Sequence, residues 1–181
     1  MKAFTSSVFA KVLTASGAIR SATLGSNPGH PQPSDKNPCQ SIVKPDLLLQ
    51  GTTMASCLYR QGRIYRDGLD GQTQNDVWAT YYFREAALAG HFRGATDYAF
   101  QLMHGLGTER DLGMAFMIYQ TMSEAPTHDP ESQLQLARMY LSGSGVEKDP
   151  AAALAYFKLA AEKGNNAAQN ELCQNFLNHC N

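Results

Sequence analysis

The sequence predicts an all-α chain: three consecutive helix pairs closed by one further helix. Three observations predict it. One pattern of small, aromatic and turn residues occurs three times at a period of about 37 residues, the range in which self-similarity marks stacked helix pairs. Within the copies, apolar residues recur at spacings of three and four and so share one face of a helix. Each copy also carries a glycine-bearing break followed by an aspartate, a stop signal and then a start signal.

The third copy is the cleanest: Leu136-Ala137, Tyr140, Gly143, Gly145-Val146, Asp149, Ala153, Tyr156, Ala160-Ala161 and Gly164. The first reads Gly62, Tyr65, Gly68, Gly71, Asp76, Ala79, Tyr82, Ala86-Ala87 and Gly90. The middle copy is worn, with Ala99, Leu102, Gly105, Gly107, Asp111, Ala115 and Ile118.

In chain order, residues 53–66 read as a helix because Ala55, Leu58, Gly62 and Tyr65 fall on one face. Asp67-Gly68 breaks it, and a polar loop leads to Asp76, expected to cap the next helix over residues 77–89. Gly90 is placed to end that helix without Cβ strain. The second pair repeats the plan, with helices over residues 95–104 and 112–124 and Asp111 as cap. Here Met122-Ser123 stands where the other copies have Ala-Ala, and Pro126 stands where they have glycine. A bulky Met at a close helix approach predicts less regular packing in this pair. In the third pair a helix over residues 131–142 follows Pro130. Asp149-Pro150 then opens a helix running to Lys163, since Asp at the cap and Pro at the first helical position form a strong start signal. A last helix is expected over residues 165–179, with Ala168, Leu172 and Phe176 inward and many Asn and Gln outward, as suits a terminal cap.

Composition narrows the function classes. The chain has 181 residues and a formal net charge of −1, with acids and bases interleaved. No basic stripe is present, so nucleic acid is not the expected partner. No stretch approaches the roughly 20 apolar residues needed to span a bilayer. Residues 1–37 read as a leader and disordered linker, with residues 38–181 as the folded part. The leader is acid-free and Ser/Thr-rich up to Ser34. It fits a weak secretory signal, another export or organellar signal, or a plain tail. The linker concentrates Pro28, Pro31, Pro33 and Pro38, which disfavour helix.

Four cysteines allow three pairings. Cys173 and Cys180 would lie about 10.5 Å apart along one continuous helix, beyond the roughly 7 Å a disulfide tolerates. They can pair only if the helix ends between them. Cys39–Cys57 is the preferred pair, since it would staple the incoming segment onto the first helix. The alternative is free thiols, with Cys57 and Cys173 as small core residues.

No catalytic constellation emerges. None of the five histidines has a metal-ligand spacing with another His or Cys, and His179-Cys180 with Cys173 would lack a fourth ligand. Gly143-Ser144-Gly145 lacks the lysine of a phosphate loop and reads as a repeat turn. Tyr65, Tyr82, Tyr140 and Tyr156 sit at repeat landmarks and read as core. No catalytic residue, metal or cofactor is assigned.

The landmarks from Leu136 to Gly164 closely resemble the Sel-1-like repeat, a relative of the tetratricopeptide repeat. The resemblance covers about residues 53–181, in units 53–90, 91–127 and 128–164 and a cap 165–181. It departs from the pattern at Met122, Ser123 and Pro126, and in the longer first loop. The resemblance implies a right-handed α-α superhelix and a non-catalytic adaptor binding a protein or peptide. It also implies a bacterial protein often exported, with a secreted, disulfide-linked branch. The corresponding expectation is a periplasmic or secreted monomer, with a cytoplasmic or organellar location as alternative. Other function classes are a secreted effector docking on a target, and a hydrolase.

In tetratricopeptide-like solenoids the first helix of each pair lines the concave surface. On that basis the residues two before each Tyr/Leu landmark, Arg63, Phe100 and Arg138, are expected to form one column. Those five before it, Arg60, Asp97 and Gln135, are expected to form another. Arginine and aromatic side chains are the types that anchor interfaces. Such a stripe would suit an acidic or carboxylate-ended peptide; the alternative is a solvated face with extended arginines.

Overall fold

The computed structural model describes Cys39, residues 50–124 and residues 128–176. The expected leader and linker, Pro126 and residues 177–181, which include Cys180 and the last positions of the expected final helix, lie outside the described residues. Among the described residues there are seven helices and no strand. They are α1 (Gln50–Asp67), α2 (Asp76–Leu88), α3 (Phe92–His104), α4 (Leu112–Ser123), α5 (Pro130–Ser142), α6 (Pro150–Glu162) and α7 (Asn166–Asn175). The chain is all-α and of the helical-repeat type. It divides into two compact units, one up to Gly94 and one from Ala95 onward.

In the first unit α1 packs on α2. Gly62 of α1 faces the ring of Phe83, and a Cβ there would come within 2.5 Å of it. Tyr65 and Tyr82 stack at 5.6 Å with nearly parallel rings. Cys39 and Cys57 form a disulfide with Cα atoms 5.8 Å apart, and Cys39 is fully buried against Leu58, Tyr82 and Ala86.

In the second unit α4 packs on α5, α5 on α6, and α6 on α7. The stacked pair returns as Tyr140 and Tyr156, 5.7 Å apart. The fully buried ring below it returns as Phe157. In the worn copy Leu102 and Ile118 replace the tyrosine pair, and both are buried with Tyr119.

A small set of bonds repeats from pair to pair and explains the sequence landmarks. Between the two helices of a pair, a backbone N–H bonds back to the Tyr/Leu landmark carbonyl: Asn75 to Tyr65, Asp111 to Leu102 and Asp149 to Tyr140. The side chain of that same residue then caps the second helix, accepting from Trp78, Met114, or Ala151 and Ala152 N–H groups. Such a cap satisfies donors that the first helical turn leaves orphaned. The first unit corrects the sequence reading: Asn75, not Asp76, is the cap. The landmark bond positions Asn75 at the turn, and Asp76 becomes the first helical residue, where its charge opposes the positive end of the helix dipole.

Between pairs, the next first helix is capped in the same way. His91 Nδ1 accepts from Gly94, Asp129 from Ser132, and Asn165 Oδ1 from Ala168. The capping bond extends α3 back to Phe92 rather than residue 95, and α5 back to Pro130. Gly94 lies inside α3 because a Cβ there would meet the Ala86 Cβ at 2.8 Å. At the Ala-Ala positions the bonds run from His91 to Ala86 and from Asn165 to Ala160. In the middle copy the donor to Met122 is Asp129, two residues further on, and Met122 is buried. The last helix stops at Asn175, short of residue 179, and Phe176 packs on the Leu134–Phe157 core. Cys173 is a partly buried free thiol.

Candidate functional site

Helical periodicity decides which side chains of a first helix escape the core. On α3, Ala95, Ala99 and Leu102 are buried, which turns Phe100 and His104 outward. On α5, Leu134, Leu136 and Ala137 are buried, and Arg138 is only half-covered. Residues of α3 and α5, with the loop before α4, line an open groove of about 390 Å³.

Its apolar lining is Phe100, Met103, Leu112 and Met139. Phe100 is 41% exposed and lies 4.0 Å from the His104 ring, centroid to centroid. His104 Nδ1 lies 2.9 Å from the Phe100 carbonyl, which fixes the ring over the end of α3. The polar lining includes Arg110, Gln135 and Arg138. Arg110 donates Nε–H to the Met103 carbonyl at 3.0 Å, tying the loop to α3. Gln135 is nearly buried and donates to Glu131 at 2.7 Å.

Arg138 is engaged. Its Nε lies 3.1 and 3.0 Å from the two oxygens of Glu171 on α7, and its Nη2 also bonds Glu171. That bonding holds the guanidinium above its ordinary pKa, against a smaller opposing effect of burial. On α4, burial first, and then the Glu131 and Asp97 carboxylates, push the pKa of the fully buried Tyr119 hydroxyl up.

The expected binding residues thus separate. Phe100, Gln135 and Arg138 line this groove. Asp97, partly buried on α3, does not line it. Arg60 and Arg63 line a different groove, within the first unit, of about 400 Å³, with Tyr59, Ile64 and the 45% exposed Leu69. There Arg60 pairs with Asp70 at 3.4 Å and Arg63 with Asp67 at 4.0 Å. Both pairs are well exposed, and such pairs contribute about 0–1 kcal/mol.

Sequence reasoning missed Met103, His104, Arg110, Leu112 and Met139. One signal pointed to Arg110: a basic residue precedes the capping aspartate in both the second and third copies, as Arg110 and Lys148. Each packs its Cβ beside the αL glycine of its loop, at Gly105 and Gly143. Among the described residues no three His, Cys, Asp or Glu side chains form a metal-binding group. No helix of the described residues is long and apolar enough to cross a membrane.

The family profile of the Sel1 repeat matches residues 55–91, 94–125 and 130–165. The chain is similar to c5321, a protective antigen of uropathogenic Escherichia coli strains displaying an SLR fold. The TM-score is 0.59 and the identity 29%, covering 70% of this chain and 27% of c5321, so this chain spans about a quarter of that protein. It is similar to a Sel1 repeat protein from Oxalobacter formigenes, with TM-score 0.57 and 30% identity over 70% of this chain and 97% of that one. Helicobacter pylori cysteine rich protein B shares the fold, with TM-score 0.50 and 18% identity over 70% and 98% of the two chains. No curated protein matches the chain.

Proposed function

We propose that this chain, which belongs to the Sel1 repeat family, is a non-catalytic scaffold that captures an acidic protein segment in the groove between α3 and α5. Sel1 repeat proteins are generally protein-interaction scaffolds. One observation carries the reading. An exposed aromatic, Phe100, stands among Met103, Met139 and Leu112, with Arg110 and Arg138 in the same lining. An apolar anchor beside guanidinium groups matches a segment bearing one aromatic or aliphatic side chain among carboxylates. The groove lining contains no carboxylate, and Arg110 has no carboxylate partner among the described residues.

The test is fluorescence anisotropy on the full chain with a labelled short peptide of Asp and Glu around one Phe. Phe100→Ala should weaken binding on the order of tenfold, the effect of removing an interface anchor. Arg110→Glu should weaken it further at low salt. Binding unaltered by both substitutions would remove the groove from the proposal.

The same reading places the chain outside the cytoplasm, in the periplasm or secreted, acting as a monomer on protein rather than nucleic acid. The Cys39–Cys57 disulfide supports the location, because such bonds persist in oxidising compartments. Cell fractionation with thiol labelling checks it: a cytoplasmic, fully labelled protein would refute it.

A further inference from the structure

We propose that His104 is a ligand-binding residue of this groove: its protonated Nε2 takes a carboxylate of the partner, so the groove binds acidic segments more tightly below neutral pH. The inference rests on the groove reading above and names its regulation.

The last residue of each first helix stands at one repeat position, two past the Tyr/Leu landmark: Asp67 on α1, His104 on α3 and Ser142 on α5. Two of the three bond back to the carbonyl four residues earlier. Ser142 Oγ donates to the Arg138 carbonyl at 2.8 Å, and His104 Nδ1 lies 2.9 Å from the Phe100 carbonyl. A carbonyl only accepts, so Nδ1 carries the hydrogen. Nε2 is then the nitrogen of the ring that gains and loses a proton. It has no hydrogen-bond partner among the described residues, and the exposed side chain lines the groove.

The proton at Nε2 reverses what this position accepts. On the neutral ring Nε2 is a lone pair, which accepts from an amide and repels a carboxylate oxygen. On the protonated ring Nε2–H donates, and its bond to a carboxylate is charge-assisted. Histidine is the side chain whose charge changes between about pH 8 and about pH 5. The protonated ring keeps its present bond. Nδ1–H still donates to the Phe100 carbonyl, at the end of α3 where the helix dipole favours a positive charge.

No carboxylate of the groove lining competes for that proton. The charged groups that line the groove with His104 are Arg110, from the loop before α4, and Arg138, from α5. From α4 the lining takes Leu112, which is uncharged. Glu171 is bonded to Arg138 and does not line the groove; neither do Asp97 on α3 and Glu109 in the loop. The two guanidinium groups oppose a third positive charge while the groove is empty, and a partner carboxylate offsets them. Protonation and acidic-segment binding therefore favour each other, by the reciprocity of linked equilibria. The groove of the first unit is built otherwise: its lining holds its own carboxylate, Asp70, paired with Arg60.

The experiment measures anisotropy of the acidic peptide, and of a matched peptide with Asn and Gln in place of Asp and Glu, on the full chain at fixed low salt. Peptide Asp and Glu titrate near 3.9 and 4.3, so their charge is nearly constant between about pH 7.5 and about pH 5.5. Over that interval the acidic peptide should tighten roughly three- to fivefold, the scale of one exposed charged contact, and the neutral peptide should not tighten. His104→Gln should abolish the pH response. His104→Lys, with a fixed charge, should bind the acidic peptide at the higher pH about as tightly as the parent does at the lower. Circular dichroism at both pH values checks that each chain is equally folded. An acidic affinity that does not change with pH, or a pH response that survives in His104→Gln, overturns the role of His104 while the groove reading stands. If the unaltered chain binds neither peptide at either pH, the groove reading falls and this inference with it.

Discussion

The backbone N–H of Asp149 donates to the carbonyl of Tyr140 at 2.9 Å, and the same side chain then caps α6 through the Ala151 and Ala152 N–H groups. One residue thereby closes the turn of a helix pair and starts its second helix. Asp111 with Leu102 and Asn75 with Tyr65 do the same in the other two pairs.

Removing the side chain at that junction should be costly although it is exposed. Asp149→Ala loses both capping bonds and should destabilise the chain by about 1 kcal/mol. That corresponds to a Tm lower by about 2–4 °C at this size. Asp149→Asn keeps an acceptor and should melt within about 1 °C of the parent. Differential scanning calorimetry separates the two; equal melting of both variants would contradict the capping role.

Gly62→Ala sets two effects against each other. Alanine favours a helix interior over glycine by about 1 kcal/mol. The new Cβ would lie 2.5 and 2.6 Å from Phe83 ring carbons, and that ring is fully buried. Overpacking of this kind costs about 1–3 kcal/mol. The clash should win, giving a net loss in urea unfolding. Pairing it with Phe83→Leu should recover part of that loss in a double-mutant cycle, which measures contact directly.

His91 makes the first unit sensitive to mild acid. Its Nδ1 accepts the Gly94 N–H at 3.1 Å and its ring stacks on Tyr59 at 4.3 Å. Burial, and then the neighbouring Arg93, hold its pKa below the ordinary histidine value. A depressed folded pKa means the neutral ring is the stabilising form. Its contribution is present above about pH 6.5, the unfolded value, and is lost as pH falls through the lower folded value. Tm should therefore fall between about pH 7 and pH 5 by a few degrees, the scale of one helix cap. His91→Asn keeps a capping acceptor without titrating, and should flatten that slope; an unchanged slope would place the pH sensitivity elsewhere.

Reduction should weaken the chain through Cys39–Cys57. The bond closes a loop across a sequence separation of 18, for which loss of chain entropy predicts about 3 kcal/mol. Cys57→Ser should lower the denaturation midpoint and abolish the response to dithiothreitol. Cys173→Ser, at a free thiol, should leave that response intact.

The helix pairs were readable because their signals are local. Apolar spacing, Asp149-Pro150 and the glycines act within one or two turns of chain, so a sequence carries them nearly complete. The two expected columns did not stay together: Phe100 and Arg138 of one and Gln135 of the other line one groove, while Arg60 and Arg63 line another. The cap at Asn75 was not readable. Asn75 and Asp76 are both good caps, and the choice falls to the path of the loop that joins Asn75 to Tyr65. Nor could spacing show that Arg138 is held by Glu171, 33 residues away on α7.

From its residues alone this chain can be assigned an all-α repeat of paired helices and their turns, since periodicity and capping are properties of neighbouring positions. Which side chains face open water and which are already paired awaited the packed chain. Ion pairs and groove walls join distant segments, and the geometry that brings α3, α5 and α7 together exists only once the repeats have docked.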